Sequence, residues 1–345
     1  MVLSKTPLVS FIIPYYNGKR YVNEAIKSFY SQTWENKELV VVDDASTDEA
    51  SRELIERLAQ RYGFTLVRHK KNQGCCKALL TGFKISSGDY ISVLSQDDLL
   101  VNDKTEFMLE IMQKKDLDVL YCNGAFFFDN NIQNIKEFDP TEVLSALDRS
   151  GQKGVAELIS SKDTIGSLLT QGALYKREIW DTNLDFKAKF LLDDWPFTIK
   201  CWREYKTDFD PHVVYKYRFH DGNTHKDAWK WLPARVQVVS EMIAADKKIE
   251  VFARMLAYTG LQFRHSNSDD AARFLAAAYV LADRLPESNE WIEVARAFDT
   301  QSVSQRFKPL GRKFYPGKIA EIKPYIKKIP GILRLWSIIK SLKKK

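Results

Sequence analysis

Two pairs of adjacent aspartates stand at the ends of apolar runs in this 345-residue chain. Asp43 and Asp44 follow "ELVVV", and Asp97 and Asp98 follow "YISVL" within the segment "SQDD". Adjacent carboxylates repel each other, so a site that holds them normally supplies a cation or hydrogen-bond donors. A hard divalent ion such as Mg²⁺ prefers oxygen ligands and is often held by a few carboxylates together with substrate phosphates. The two pairs therefore indicate a metal-assisted site for a phosphate-bearing ligand.

Two further observations bear on that hypothesis: one concerns how a phosphate would be held, and the other is a structural interpretation of the acids. The chain has neither a GxxxxGK segment followed by Ser or Thr nor GxGxxG after its first apolar run, so a glycine-rich phosphate cradle is not indicated. Aspartate is also common at strand ends, helix N-caps and turns, so the four aspartates could have only these structural roles. For a single pair that second interpretation is the better one, whereas the repetition at two strand ends favours a site.

Short β-branched runs alternate with amphipathic segments in the first third of the chain. Ser46 and Glu49 match a capping box, and Gly63 suits the end of the helix that would follow. The strands are predicted at 9–13, 38–42, 64–68, 90–94 and 118–122. This alternation predicts an α/β fold with a mostly parallel sheet flanked by helices.

The predicted sheet places three polar clusters at one edge. Ligands of such sheets bind beyond the carboxyl ends of the strands. Residues 15–17, 43–44 and 95–98 each follow a predicted strand at that end. We therefore expect these clusters to form a single site.

The C-terminal third has a different character. From about residue 226 the sequence is Ala-rich and helically periodic, which predicts a helical subdomain up to residue 307. Residues 308–345 carry 12 Lys and Arg and one acid, a net charge of +11, and since the whole chain carries +7 the rest is at −4. The apolar face of its last helix consists of Ile332, Leu335, Trp336, Ile339 and Leu342.

That basic amphipathic tail is suited to lie in an anionic membrane interface, and this interpretation is preferred over packing on the body or on a partner protein. Nucleic acid is not an expected partner, because the body is acidic and the tail has an apolar face. The four cysteines fit neither a zinc site nor a disulfide framework, and no signal peptide or spanning segment is apparent. The expected location is the cytoplasm, peripherally on the inner face of the cell membrane.

The N-terminal motifs carry a family resemblance. The segment "VSFIIPYYNGKRYVNEAIKSFYSQTWENKELVVVDDASTDEA" resembles the opening of family 2 glycosyltransferases with the GT-A fold, where P-x-Y-N, S-x-x-Q-T and V-V-D-D-x-S-T-D follow in this order. "NQGCCKALLTGFKISSGDYISVLSQDD" is similar to that family's N-x-G stretch and its L-D-x-D-D motif. The resemblance covers about the first third and implies a GT-A catalytic domain over 1–225, with a C-terminal helical extension.

The resemblance implies roles for residues on the donor side. Asp44 matches the acid that binds the nucleotide base, and Lys77 lies where a basic group meets diphosphate, although a solvated helix lysine is an equal alternative. Asp97 matches the last acid of D-x-D, a metal ligand, whereas Ser95 replaces the first acid and could bond a ribose. The donor-binding residues implied are Pro14, Tyr15, Asn17, Asp43, Asp44, Lys77, Ser95, Gln96, Asp97, Gln171 and Gly172.

Later segments resemble the acceptor side of the family. In "LLDDW" the second acid, Asp194, takes the position of the catalytic base, and Asp193 and Trp195 flank it. Asp98 is also expected on the acceptor side. "YKYRFHDGNTH" is similar to a Y-R-x-H-x-x-N segment, in which His220 would contact the metal or the diphosphate.

The implied function is inverting transfer of a sugar, with a UDP-sugar as the expected donor and Mg²⁺ or Mn²⁺ as the cofactor. The acceptor would be a hydroxyl of a glycan or lipid-linked glycan in the synthesis of a surface polysaccharide such as O-antigen, capsule or lipopolysaccharide. Two alternatives remain: a non-catalytic nucleotide-sugar-binding protein of the same fold, which the loss of the first acid at Ser95 would suit, and a nucleotidyltransferase.

Overall fold

A computed structural model of the chain describes residues 6–129, 131–139, 170–190, 194–223, 236–242, 251–253 and 255–256. The chain divides into two compact units. The first comprises Met1–Leu144 and Ile165–Asn223, and the second comprises Ser145–Thr164 and Thr224–Lys345. Residues 236–242 in the second unit are helical. The predicted tail at 308–345 and most of the predicted helical subdomain lie outside the described residues.

Four parallel strands form one half of the central sheet, in the order β3-β2-β1-β4. Their apolar runs are buried because helices follow the first three strands and cover the sheet. The strands are β1 (Val9–Tyr15), β2 (Lys37–Asp43), β3 (Thr65–Arg68) and β4 (Tyr90–Val93). The helices are α1 (Val22–Tyr30), α2 (Glu49–Tyr62) and α3 (Cys75–Ile85). The predicted α/β class is confirmed.

The second half of the sheet contains strands of both directions. β8 pairs antiparallel with both β4 and β6, β9 pairs parallel with β6, and β5 and β7 add antiparallel to β9 and β6. The strands are β5 (Leu99–Leu100), β6 (Val119–Phe128), β7 (Asn131–Glu137), β8 (Ala173–Lys176) and β9 (Thr207–Phe219). The helices are α4 (Lys104–Lys115), α5 (Arg177–Asp181), α6 (Leu184–Lys189) and α7 (Trp195–Glu204), with a 3₁₀ turn at Thr170–Gly172. The sheet, which has nine strands among the described residues, is therefore mixed.

The start of α2 differs from the predicted capping box. Asp48 is the N-cap, and its side chain accepts a hydrogen bond from the Ser51 N–H at 3.0 Å. Ser46 lies in the loop before the helix and accepts from Asn17 instead. The prediction from Ser46 was wrong because the loop after β2 is two residues longer than a capping box allows. Gly63 ends the helix in the left-handed conformation, at φ 74°, as predicted.

A close approach of helix and sheet explains one glycine. A Cβ added at Gly82 of α3 would lie 2.4 Å from Ile12 Cγ2 of β1, so only glycine lets the helix lie this close. None of the four cysteines is part of a disulfide. Over the described ranges, the chain has no helix with the length and apolarity needed to cross a bilayer.

Candidate functional site

Asn17 ties the loop after β1 to the loop after β2. Its backbone has φ 49°, a left-handed conformation that asparagine tolerates better than most residues. Its N–H donates to Ser46 Oγ at 2.9 Å, and its Oδ1 accepts from the N–H groups of Thr47 at 2.9 Å and Asp48 at 3.0 Å. The first two predicted clusters are therefore joined at the same edge of the sheet.

Pro14 and Tyr15 belong to β1 itself. The Tyr15 side chain is buried, its hydroxyl donates to the Ser51 carbonyl at 2.8 Å, and burial raises its pKa to about 12. The Tyr15 carbonyl accepts from the Asp44 N–H at 2.8 Å. Pro14 and Tyr15 therefore position the neighbouring loop. The next residue, Tyr16, is 40% exposed.

Asp43 is a structural carboxylate. Its side chain is fully buried at the end of β2, where one oxygen accepts from the Ser46 N–H at 2.9 Å. The other oxygen accepts from Arg68 Nε at 2.7 Å. Asp43 therefore shapes the turn that presents Asp44, and both of its oxygens are already occupied by protein donors.

Asp44 lies in a cradle of three N–H donors. His69 Nδ1 lies 2.6 Å from Oδ1, and the N–H groups of Gln73 and Gly74 donate to the carboxylate at 2.9 and 2.7 Å. The other ring nitrogen of His69 is 2.9 Å from Thr81 Oγ1, which fixes the plane of the ring. The Gln73 N–H is shared with Oδ2 at 3.1 Å, so protein donors approach both oxygens of this carboxylate, and its side chain is 5% exposed.

Gln96 holds the first loop against the end of β4. Its Oε1 accepts from the Tyr16 N–H at 2.9 Å, and its Nε2 donates to the Tyr16 carbonyl at 3.3 Å. A Cβ at Gly18 would lie 2.3 Å from Gln96 Oε1, so this pairing requires glycine there. The predicted donor residue Gln96 thus contacts the loop and fixes its position.

Ser95 and Asp98 share one partner, the amide of Gln171. Gln171 Nε2 donates to Ser95 Oγ at 2.5 Å and to Asp98 Oδ2 at 3.1 Å. The Gln171 carbonyl accepts from the Nζ of Lys104, which is fully buried. Burial lowers the pKa of Lys104 to about 7. The predicted turn at Gln171 is therefore joined directly to the "SQDD" segment.

The two acids of "SQDD" have different surroundings. Asp98 is buried, and its Oδ1 accepts from the Arg218 N–H at 2.9 Å. Burial first, and then the charge of Asp97, raise the pKa of Asp98 well above its usual value. The Asp97 side chain is 23% exposed, so it is the acid of this pair that a ligand can reach.

His220 faces Asp97 directly. The distance from His220 Nε2 to Asp97 Oδ2 is 2.9 Å, and the His220 ring lies against Tyr21 with centroids 4.7 Å apart. The Gly222 N–H donates to His220 Nδ1 at 3.1 Å, which places the proton of a neutral ring on Nε2. The Asn223 side chain accepts from the His220 N–H at 2.6 Å.

The buried Arg218 side chain connects the Asp97 loop to two other elements. Its Nε donates to the Asp97 carbonyl at 2.9 Å, and its two terminal nitrogens pair with Glu24 at 2.7 Å and Asp129 at 3.2 Å. The side chain is buried and lies over the Tyr21 ring, 4.6 Å from the centroid. α1, the end of β6 and the acidic loop are thereby fixed relative to one another.

Asp194 stands at the start of α7, where its carbonyl accepts from the Thr198 N–H at 2.9 Å. Asp194 acts electrostatically on Tyr217 of β9, as do Asp97 and Asp98. Burial first, and then the charges of Asp98, Asp97 and Asp194, raise the pKa of the Tyr217 hydroxyl. The phenol oxygen therefore lies within electrostatic reach of all three carboxylates, which come from distant parts of the chain.

The remaining predicted residues occupy several positions. Lys77 is exposed on α3. Gly172 packs against Tyr215, since a Cβ there would lie 2.9 Å from Tyr215 Cε1. Asp193 lies outside the described residues, and of Trp195 only the backbone is described, as the first residue of α7.

Comparison with known proteins bears on this arrangement. The profile of Glycosyl transferase family 2 matches residues 10–182, which is half of the chain. The chain belongs to glycosyltransferase family 2. The match includes Asp44, "SQDD" and Gln171, and it ends before Asp194 and His220.

Relatives of this family 2 glycosyltransferase include uncharacterized glycosyltransferases of Rickettsia. The Rickettsia felis protein is 35% identical over 217 residues, covering 62% of this chain and 34% of the relative. The Rickettsia typhi protein is 34% identical over 228 residues, covering 65% of this chain and 67% of the relative. The matched part thus spans only about a third of the first relative's length.

A solved structure shares the fold. The crystal structure of S. aureus TarS 1–349 in complex with UDP-GlcNAc aligns with a TM-score of 0.56 and 17% identity. The alignment covers 89% of this chain and 93% of that chain. This likeness, together with the family match, confirms the predicted GT-A fold of the family 2 glycosyltransferase.

A divalent ion fits the pair formed by Asp97 and His220. The 2.9 Å between Asp97 Oδ2 and His220 Nε2 is a hydrogen bond here, and it is close to the spacing of about 3 Å between adjacent octahedral ligands. An ion at Nε2 would take the place of that proton, which would move to Nδ1, and the Gly222 N–H would then have to turn away from Nδ1. Within the described ranges no group of three or more His, Cys, Asp and Glu side chains could hold an ion. Two protein ligands leave the other positions to substrate phosphates and water, which is the usual arrangement for Mg²⁺.

The sequence interpretation missed several residues of the site of this glycosyltransferase. His69, Lys104 and Tyr217 were not singled out, because each acts through a partner far away in the chain. A signal was available for Lys104, because it begins α4 on the side of the helix that is buried. Arg218 stands in the Y-R-x-H segment, where only the histidine had been given a role.

Proposed function

We propose that this glycosyltransferase moves a sugar from a nucleotide-sugar, with UDP as the preferred nucleotide, to a hydroxyl of a glycan or lipid-linked glycan, with inversion and assisted by Mg²⁺ or Mn²⁺. The single observation that carries the proposal is the hydrogen-bonded cluster at "SQDD", in which Gln171 joins Ser95 to Asp98 and His220 faces Asp97. This cluster follows β4 and Asp44 follows β2, so both stand at the carboxyl ends of parallel strands. Base recognition and metal binding would therefore meet at one edge of the sheet.

The Asp44 cradle supports recognition of a uracil base. The Gln73 N–H is shared between the two oxygens of Asp44, and when that N–H keeps only one of them the other can accept from a ring N–H, which uracil has at N3. Cytosine has the same shape but carries an acceptor at that nitrogen, which would face a carboxylate oxygen without a hydrogen between them. UDP is therefore expected to bind in preference to CDP. The UDP-GlcNAc of the TarS complex makes UDP-GlcNAc a reasonable first donor to try.

Asp97 and His220 are the residues proposed to hold the ion, which when bound offsets the negative charge of the leaving diphosphate. Ser95 stands where the family's first acid would be, and its hydroxyl is already bonded to Gln171. Asp98, which is buried and has a raised pKa, supports the loop through Gln171 and the Arg218 N–H. Lys77 is exposed at the start of α3 and is proposed to meet the diphosphate.

Asp194 is proposed as the general base. A carboxylate within hydrogen-bond reach of the acceptor hydroxyl takes its proton as the bond from that oxygen to the anomeric carbon forms. In the same displacement the bond from the anomeric carbon to the diphosphate oxygen breaks, and the nucleoside diphosphate leaves with the electron pair. A single displacement from the opposite face inverts the anomeric configuration.

A donor screen tests the proposal. Nucleoside diphosphates and nucleotide-sugars are added to the full chain with and without Mn²⁺, and both the melting temperature and the release of nucleoside diphosphate are measured. We expect a Mn²⁺-dependent thermal shift with UDP and slow hydrolysis of one UDP-sugar. Binding without any hydrolysis or transfer would instead favour a non-catalytic nucleotide-sugar-binding protein.

The domain organisation and the membrane setting are also proposals. Residues 1–225 would form the catalytic domain, 226–307 a helical subdomain, and 308–345 a tail that attracts anionic lipid through its net charge of +11. This would place the enzyme at the inner membrane surface, where lipid-linked glycans are assembled. Flotation with anionic vesicles, comparing the full chain with a chain that ends at residue 307, tests this, and equal flotation would refute it.

A further inference from the structure

Five aromatic side chains form a continuous strip on one face of β6 and β9. The parallel register places Phe126 beside Tyr217 and Phe128 beside Phe219, so these four rings share one face of the sheet. The fifth ring, that of Phe138, follows β7 and lies 5.4 Å from Phe126 between centroids. We call this set the aromatic strip, and it consists of Phe126, Phe128, Phe138, Tyr217 and Phe219.

The strip is accessible, unlike the opposite face of the same strands. Phe127 and Arg218 alternate with strip residues and are 1% exposed. Phe128 is 41% exposed, and the other four rings are partly exposed. The Phe128 and Phe219 rings stack with centroids 5.4 Å apart, and Phe126 meets Phe219 edge to face at 5.3 Å. The strip is therefore a set of mutually packed rings, in which Phe128 and Phe219 are nearly parallel and Phe126 is almost perpendicular to both.

The strip is continuous with the proposed catalytic cluster. Phe219 directly precedes His220, which faces Asp97 at 2.9 Å. The next strip residue on β9 is Tyr217, and the pKa of its hydroxyl is raised by burial first and then by the charges of Asp98, Asp97 and Asp194. The strip therefore adjoins the proposed metal residues and includes the exposed ring of Phe128.

The chemistry of the strip suits one kind of occupant. A pyranose ring has an apolar face of C–H bonds, whose partial positive charge is attracted by the negative face of an aromatic ring, and a hydroxyl-bearing edge that needs water or polar groups. All members of the strip are aromatic, and Lys136, which pairs with Phe126, supplies an exposed polar group beside it. A lipid chain has no such need for flat rings.

We propose that the aromatic strip is the acceptor platform, on which sugar rings of a glycan stack so that the attacking hydroxyl lies at Asp194. This inference rests on the proposed glycosyl transfer. It adds that the acceptor is held through its sugar rings, even where a lipid is attached to it. The strip is on β6, β7 and β9, outside the donor cradle around Asp44, so donor and acceptor binding can be changed separately.

Phe128 is the residue with which to test the platform, because its exposure makes loss of folding an unlikely result of substitution. The variants are Phe128→Ala, Phe128→Leu and Phe128→Tyr. Leucine keeps an apolar side chain but has no flat ring, whereas tyrosine keeps the ring. Ile85→Ala is the matched control, since Ile85 at the end of α3 is 44% exposed and lies outside the strip.

The probes are the methyl glycosides of glucose, galactose, mannose and N-acetylglucosamine. Each is added to the full chain together with the nucleotide-sugar that the protein hydrolyses. Glycoside-stimulated release of nucleoside diphosphate gives KM for the acceptor, and hydrolysis alone gives KM for the donor. We expect Phe128→Ala and Phe128→Leu to raise the acceptor KM by about five- to tenfold. Phe128→Tyr and Ile85→Ala should leave the acceptor KM within about twofold of the wild-type value. The donor KM should stay unchanged in the variants whose acceptor KM rises.

Three results would overturn the platform. An unchanged acceptor KM in Phe128→Ala would separate the strip from acceptor binding. A normal acceptor KM in Phe128→Leu, with a raised one in Phe128→Ala, would show an apolar occupant such as a polyprenyl chain. A wild-type enzyme that hydrolyses its donor but is stimulated by none of the four glycosides would exclude sugar stacking, whereas one that neither binds nor hydrolyses any nucleotide-sugar would refute the proposed function itself.

Discussion

The side-chain amide of Gln171 donates to Ser95 Oγ across 2.5 Å, at the position where family 2 enzymes resembling this chain have an aspartate. The same amide donates to Asp98 Oδ2 at 3.1 Å. An amide donor at this point would serve a carboxylate as well as it serves a hydroxyl. The hydroxyl of Ser95 therefore has a hydrogen-bond partner that a carboxylate at this position could also use.

Restoring the acid is expected to strengthen ion binding. Ser95→Asp adds a carboxylate near Asp97, and the Gln171 amide can hold it in place, so affinity for Mn²⁺ in the presence of UDP should rise by about tenfold. Isothermal titration of Mn²⁺ into the UDP-saturated protein measures this. Ser95→Ala is the matched control and should bind Mn²⁺ no more tightly than the wild type. A tighter Ser95→Ala variant would contradict the argument.

His220 should be required for the ion dependence of donor binding. His220→Ala removes one of the two proposed ligands, so the enhancement of UDP affinity by Mn²⁺ should fall by about tenfold or more. His212→Ala is a close control, since His212 Nε2 also faces an aspartate, Asp103, at 3.2 Å on another part of the first unit. Equal effects of the two substitutions would show that the role of His220 is not specific to the ion.

Asp194→Asn should abolish transfer while preserving the fold. The asparagine can still accept from Thr198 through its main chain, but it cannot take a proton, so turnover with a stimulating glycoside should fall by about 10² to 10⁴-fold. The melting temperature and UDP binding should remain close to the wild type. Asp181→Asn, at an exposed position at the end of α5, is the control. Turnover near the wild-type value in Asp194→Asn would show that another group is the base.

Asp44→Asn should weaken UDP binding through the cradle. An asparagine has only one oxygen to meet the N–H donors of His69, Gln73 and Gly74, and its NH₂ group would oppose one of them. We expect a loss of UDP affinity of about tenfold or more, measured by calorimetry. Glu49→Gln, an exposed change at the start of α2, should have no such effect.

Lys104 should make stability depend on pH. Its folded pKa is about 7 and its ordinary value is 10.5, so between these pH values the unfolded chain holds a proton that the folded chain lacks. The free energy of unfolding should therefore rise with pH across this window, by roughly 1.4 kcal/mol per unit from this group. Lys104→Met should lose that component in urea unfolding at pH 7, 8 and 9, and the exposed Lys114→Met should keep it.

The parallel half of the fold could be predicted because its signals are local. The runs that form β1, β2 and β4 are short, apolar and followed by polar loops, and the helices between them show a clear period. β8 and β9 could not be predicted in this way. β8 has four residues and is defined by its pairing with Tyr90 and Val119, which lie far away in the chain.

The same distinction applies to the site. Asp44, Asp97 and Asp194 stand in motifs that can be read along the chain, and their predicted roles remain predictions. The partners that orient them, His69 for Asp44 and Arg218 for the Asp97 loop, are 25 and 121 positions away. Hydrogen bonds of this kind depend on the assembled sheet, which local periodicity does not describe.

The Arg218 side chain joins Glu24 in α1 to the Asp97 loop, and Glu24 precedes it by 194 positions. During synthesis the Asp44 cradle can form as soon as α3 has left the ribosome, since all of its members precede Thr81 or include it. The contact between Asp97 and His220 cannot form until the chain has emerged past Asn223. A growing chain would therefore complete the Asp44 cradle well before the Asp97 loop receives its last partners.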